Sequence, residues 1–209
     1  LEVTRQLHVR GSLLVLGLLA VGFVPTTTTP AGAAPADGEV TMLDNRYSPS
    51  SLTVAQGQRI EFQNFGMVAH DARDGSGLEA FATDVLGSPE SETVGPLPGA
   101  GTYRYYCSFH PEMAGRLRVP VRVSRAQSPS GAAVTVRWSP RRARSGLVFD
   151  VQRRRPGIDP FVPWRTGVTE GAMTVHPTVR GLWRIRARVR LTSGDESSAW
   201  SPVRTLRIT

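Results

Sequence analysis

Between Tyr103 and Gly115 the chain reads YRYYCSFHPEMAG, with Cys107, His110 and Met113 in a C-x2-H-x2-M spacing. A second histidine, His70, closes the segment NFGMVAH that follows RIEFQN. Two imidazoles, a thiolate and a thioether are the donor set of a mononuclear copper site, trigonal with a weak axial sulfur. Such a set serves both Cu(I) and Cu(II). Three ligands on one tight loop hold the geometry nearly constant between the two states, so an electron is gained or lost with little rearrangement. Each residue alone says little, because a lone cysteine is usually a small buried hydrophobe and a lone methionine fills a core. Their conjunction at this spacing carries the reading.

These side chains need a scaffold of strands. Alternation along Gly101–Cys107 puts Tyr103, Tyr105 and Cys107 on one face, toward a core. His110 and Met113 then fall on the turn beyond the strand, and His70 must arrive from a neighbouring strand. Short runs bounded by Gly, Pro, Asn and Ser predict further strands at Glu39–Leu43, Ser51–Val54, Arg59–Asn64, Glu92–Val94 and Gly115–Val123. Gly77–Val85 is the one stretch with room for a short helix. The polar segment SRAQSPSG, residues 124–131, reads as a linker. Beyond it strands are expected at Ala133–Ser139, Gly146–Arg153, Ala172–His176, Leu182–Leu191 and Val203–Ile208.

Residues 39–121 resemble a cupredoxin of the plastocyanin/amicyanin type. The resemblance runs from DNRYSPSSLTVAQGQRIEFQN through the histidine of MVAH to GTYRYYCSFHPEMAGRLRV. The short C-x2-H-x2-M loop is similar to that of amicyanin rather than plastocyanin. The resemblance implies a Greek-key β-sandwich binding one type 1 copper through His70, Cys107, His110 and Met113, and a one-electron carrier role. Many relatives have Asn after the first histidine; this chain has Asp71. As in similar proteins, His110 is expected to lie at a surface patch with Phe109, Pro111 and Met67, where electrons would enter and leave.

The second half has a different character. All four tyrosines precede the linker and all four tryptophans (138, 164, 183 and 200) follow it. Residues 39–124 carry 7 Arg and 10 acids, residues 125–209 carry 16 Arg and 5 acids. VTVRWS, GLVFDVQRR, GLWRIRARVRLTSG and SAWSP together resemble a fibronectin type III module, a second β-sandwich burying Trp138 and Trp183. The fold class is therefore all-β: a cupredoxin domain over residues 37–123 and a fibronectin type III-like domain over 132–209. Along Trp183–Leu191 one face is Trp183, Ile185, Ala187, Val189 and Leu191, and the other is Arg184, Arg186, Arg188 and Arg190. Such a row repels itself unless neighbouring strands supply acids or an anion binds. It reads either as a docking surface for an anionic partner, such as a cell-wall polymer, or as a solvated face in an arginine-biased composition.

Composition narrows the rest. All 25 basic side chains are arginine, against 17 acids, for a net charge of +8. Without lysine there is no Schiff-base or P-loop lysine. One cysteine excludes an intramolecular disulfide and every zinc site with two thiolates. Multicopper oxidases and nitrite reductases need further histidines, and only His8 and His176 remain. Arg5, His8 and Arg10 precede a twelve-residue apolar run, Leu13–Val24, too short to span a bilayer. With the A-x-A patterns ending at Ala33 and Ala36, residues 1–36 read as a secretory signal cleaved after one of them. The expectation is thus an exported, non-enzymatic carrier that meets a redox partner protein, with no nucleic acid and no membrane span. The alternative is an extracytoplasmic copper-sequestering protein docked by its basic module.

Overall fold

The computed structural model describes residues 37–209, all of them strand, turn or irregular backbone with no helix. Residues 1–36, read from the sequence as a secretory signal, lie outside the described residues. Among those described, no helix is long and apolar enough to cross a membrane.

The first half supplies β1 (Gly38–Leu43), β2 (Arg46–Ser48), β3 (Ser51–Thr53), β4 (Ile60–Asn64), β5 (Arg73–Asp74), β6 (Ser91–Val94), β7 (Gly101–Tyr106) and β8 (Ala114–Val119). They make two four-stranded sheets, β2-β1-β4-β6 and β3-β8-β7-β5. β1 and β4 run parallel with Val40 opposite Phe62, and alternation sends Val40, Met42, Ile60 and Phe62 inward. From the facing sheet come Tyr103, Tyr105 and Leu117, with Tyr47 edge-on to Tyr105 at 4.6 Å between centroids. Gly115 lies so close to the Tyr105 ring that any Cβ there would overlap it. The stretch expected to have room for a helix, Gly77–Val85, is irregular. Gly77 and Glu79 both have positive φ, which no α-helix allows, while Leu78 and Phe81 still reach the core.

The second half supplies β9 (Arg122–Val123), β10 (Gln127–Ser128), β11 (Val134–Arg137), β12 (Leu147–Arg154), β13 (Val162–Val168), β14 (Ala172–Val175), β15 (Gly181–Leu191) and β16 (Arg204–Ile208). A five-stranded sheet, β10-β16-β15-β12-β13, faces a three-stranded one, β14-β11-β9. Within the segment read as a linker, Gln127–Ser128 forms the short strand β10. β9 pairs with β11 and β10 pairs with β16, because backbone polar groups beside a sheet edge are best satisfied by joining it.

The two sandwiches share one apolar core, in which Val136, Trp138, Phe149 and Ile185 continue the cluster that begins at Val40. Backbone bonds cross the junction: Ala100 N–H to Trp138 O at 2.6 Å, and Thr102 with Ala199 in both directions at 2.8 and 3.0 Å. The Gln56 side-chain amide adds to them, its Nε2 donating to Pro120 O and Arg137 O at 2.9 Å each.

The arginine row of β15 alternates as expected, and the protein itself supplies partners for three of its four members, Arg186, Arg188 and Arg190. Across on β12, Asp150 lies opposite Arg188 and Gln152 opposite Arg186. Asp150 Oδ2 accepts from Arg188 Nε at 3.1 Å and Arg190 Nε at 3.3 Å. Gln152 Oε1 accepts two bonds from Arg186. The Arg186 guanidinium also packs over Phe161 and Trp200, at 4.2 and 4.7 Å from the ring centroids, and Arg188 lies over Trp200 at 4.9 Å. Cation–π contacts and one buried carboxylate thus offset the repulsion among these three arginines.

Burial alone would push the Asp150 carboxyl up. The Gly167 N–H, Arg190 and Arg188 outweigh it and hold the group below the usual carboxylate range. A depressed folded-state pKa contributes stability above the unfolded value, about 3.9, which is lost as pH falls through the lower folded value. Asp150→Asn is therefore expected to cost about 2 kcal/mol at pH 7, between the values for exposed and buried pairs. Urea titrations should show that deficit shrinking below about pH 4. A deficit independent of pH would refute the ion-pair account.

Candidate metal centre

His70 lies on a short bridge to Leu86, with backbone bonds in both directions at 3.1 and 2.8 Å. Asn64, wholly buried, ties down the loop before it. Its Nδ2 donates to Val68 O and Leu86 O, and its Oδ1 accepts from Gly66 N–H, all at 2.8 Å. The second ligand loop folds on itself. Cys107 N–H donates to Met113 O at 3.0 Å and Met113 N–H to His110 O at 2.9 Å, so three donor residues return to one place.

The result is one cluster. Cys107 Sγ lies 3.8 Å from His70 Nδ1 and 3.5 Å from His110 Nδ1. The three ligand atoms all fall within 4.8 Å of one another. Met113, fully buried on the same loop, completes the set. Metal–nitrogen and metal–sulfur bonds of about 2.0 and 2.3 Å, set 120° apart, separate N from S by about 3.7 Å. The two observed distances bracket that value. One thiol proton can serve only one imidazole, whereas a metal ion serves both. The donor set and its spacing fit a single type 1 copper.

The surroundings fix the ligands. His70 is buried, and its Nε2 has no hydrogen-bond partner; Asp44 Oδ1 stands 3.6 Å away, beyond hydrogen-bond range. The Met67 N–H, against the opposing effect of burial and with help from His70, holds the Asp44 carboxylate below its usual range. A Cβ at Gly66 would come within 2.5 Å of Asp44 Oδ1 and 2.9 Å of His70 Nε2, so only glycine leaves this histidine in place.

Asp71 stitches the two loops together. Its carboxylate accepts from Ser108 N–H and Ser108 Oγ–H at 2.7 Å each and from Arg73 Nε at 2.6 Å, while the Tyr47 hydroxyl donates to its backbone oxygen. Burial raises this carboxyl, but the Ser108 and Arg73 hydrogen bonds prevail and keep it below the ordinary range. Asn could keep the bond from Ser108 N–H, yet would set a second donor against Arg73. Asp71→Asn removes a negative charge close to the thiolate, and the reduction potential of the copper-loaded protein should rise on the order of 50 mV. Voltammetry that finds an unchanged or lower potential would contradict this charge argument.

In the chain segments that carry His70 and His110, Phe65, Met67 (91 % exposed), Val68, Phe109 (54 %) and Pro111 are exposed, while His110 is half-buried. The expected patch residues Met67, Phe109 and Pro111 are thus all at the surface. Asp44, Asn64, Arg73 and Ser108 were not singled out by the sequence reading. Only Asn64 left a signal, an Asn two residues before the amide its side chain caps.

No family model matches the chain, and no curated protein matches it. Among solved structures it is similar to a purple cupredoxin from Nitrosopumilus maritimus, with 24% identity, 40% of this chain, 99% of that chain and a TM-score of 0.37. It is also similar to an oxidized mutant of amicyanin, with 23% identity, 43% of this chain, 87% of that one and a TM-score of 0.38. A Cu-containing nitrite reductase from Thermus scotoductus SA-01 shares 32% identity over 44% of this chain, at a TM-score of 0.37. The match spans about a quarter of that enzyme, 24%.

Proposed function

We propose that the first sandwich is a type 1 copper domain that carries single electrons outside the cytoplasm, exchanging them with a redox partner protein. The observation that carries this is the convergence of two imidazole Nδ1 atoms on one buried sulfur, at 3.8 and 3.5 Å. Copper, when bound, supplies the one-electron couple between its +1 and +2 states. The chain's part is to hold the donors still. Asp71 couples the His70 and Cys107 segments, Asn64 braces the approach to His70, and the short loop fixes His110 and Met113. Half-buried His110 within an apolar collar gives a partner a dry contact close to the thiolate.

The second sandwich is a fibronectin type III-like module, supported by its three-on-five strand arrangement and its buried Trp138 and Trp183. Export follows from the basic and apolar pattern of residues 1–36. A copper store would need the buried ligands but not the exposed collar.

Reductive titration of the copper-loaded protein should take up one electron per copper, reversibly. Met67→Glu and Phe109→Glu should each slow electron exchange by about tenfold, since burying a charge in the contact is costly, with the visible spectrum retained. Irreversible copper loss on reduction would favour the store and overturn the carrier.

A further inference from the structure

A second site, unrelated to the metal, lies in the second sandwich. On β12 the side chains of Leu147, Phe149 and Val151 face inward, and Arg153 follows them on the same face, opposite buried Ile185 of β15. An arginine on the inner face of a sandwich is costly unless its charge is met. Its guanidinium packs over a pair of tryptophans, 4.8 Å from the Trp164 centroid and 5.5 Å from that of Trp183, the two centroids being 6.3 Å apart. Its Nε is buried and has no hydrogen-bond partner.

Four other arginines of this sheet are met by a side-chain acceptor. Arg154 reaches Asp159 at 2.6 Å, Arg186 takes Gln152, and Arg188 and Arg190 share Asp150. For Arg153, burial lowers the pKa first, and the charges acting on it, Arg155 and Arg165, are cations that lower it further. Arg153 opens into a cleft also lined by Arg155, His176, Thr178, Trp164 and Trp183. The cleft has about 420 Å³ of free space, enough for a small oxyanion and the first atoms of a group bearing it.

We propose that this cleft binds a phosphate-type oxyanion, which meets the Arg153 guanidinium and is shared with Arg155. The two tryptophans hold the Arg153 fork in place, so its donors are oriented before the anion arrives, and little side-chain entropy is lost on binding. Two guanidinium cations and the neighbouring imidazole suit a dianion better than a monoanion.

The test uses the intact, copper-loaded chain at constant ionic strength, with inorganic phosphate as the probe and tryptophan fluorescence as the readout. Trp164 and Trp183 pack against the arginine, so occupancy should change their emission whatever metal the other sandwich holds. Saturable binding with Kd at or below about 1 mM is expected. Arg153→Gln should weaken it about tenfold or more, as expected for loss of one partner of a desolvated charge pair. Arg155→Gln, which leaves the tryptophan stack intact, should weaken it severalfold, and Arg153→Lys should restore part of the loss. Glycerol phosphate separates the sources: binding as tight as that of phosphate supports a phosphoryl group carried on a larger molecule, and weaker binding supports the free ion. No saturation by either probe, equal competition by chloride, or unchanged affinity in Arg155→Gln would each overturn the proposal.

Discussion

Replacing Cys107 by serine should abolish the intense visible thiolate-to-copper absorption of the copper-loaded protein while leaving the β-sandwich folded. The sulfur is buried, and it is the point on which both imidazoles converge. A serine hydroxyl does not ionise near neutral pH, so the charge that binds copper is lost together with the polarisable donor. Loss of supporting groups around a metal site already costs about 10–100-fold in affinity, and loss of the central thiolate should exceed about 100-fold. Copper that binds the folded state raises its melting temperature through linkage. The wild type should therefore melt higher with copper than without, and Cys107→Ser should show little difference. For the metal-free variant the change is small, about 1–2 kcal/mol for placing a hydroxyl where a thiol was. A variant that keeps the band, or gains as much thermal stability from copper as the wild type, would refute the assignment of Cys107.

Gly101→Val is expected to have the largest effect on stability, and to act far from the metal. Gly101 opens β7, the strand that ends just before Cys107, about 20 Å away at 3.3 Å per residue. A Cβ at this position would overlap Ser198 Oγ and lie 3.0 Å from Ser198 Cβ and 3.3 Å from the Tyr103 ring. Ser198 cannot step aside freely, because it is buried and its hydroxyl accepts the Val189 N–H at 3.1 Å. The next residue, Thr102, makes the paired backbone bonds to Ala199 that join the two sandwiches. Inserting three carbons here forces the junction apart, at about 3 kcal/mol, the upper part of the range for overpacking a filled core. The shared core predicts one unfolding transition for the wild type, and in the variant unfolding should move to lower urea and separate into two steps as the halves lose that core. The copper spectrum should survive, since the ligand loops lie at the other end of β7. An unchanged midpoint, or loss of the copper spectrum before unfolding, would count against a junction that is structural and remote from the site.

The metal site was readable because its information is local. Three of its four ligands occupy seven consecutive residues, and period-two alternation alone turned Tyr103, Tyr105 and Cys107 inward, as they are found. The strand pattern was legible for the same reason. The strands not foreseen are short or lack clear alternation: β2, β5, β10 and β13. β10, with two residues, exists because β16 offers it an edge. The helix considered at Gly77–Val85 failed on two backbone conformations that only the packed structure imposes.

By itself the sequence determined the donor set, the strand that presents Cys107, and the alternation that divides β15 into an apolar face and a row of arginines. Which groups would meet those arginines, which residues would brace the ligands, and how the two halves would join depended on partners distant in the chain. Asp71 meets Ser108 across 37 positions, Arg188 meets Asp150 across 38, and Thr102 meets Trp200 across 98. Periodicity and spacing report which way a side chain points. Only the tertiary structure decides what waits there, and for Arg153 it places two tryptophans beside the charge and no hydrogen-bond partner on Nε.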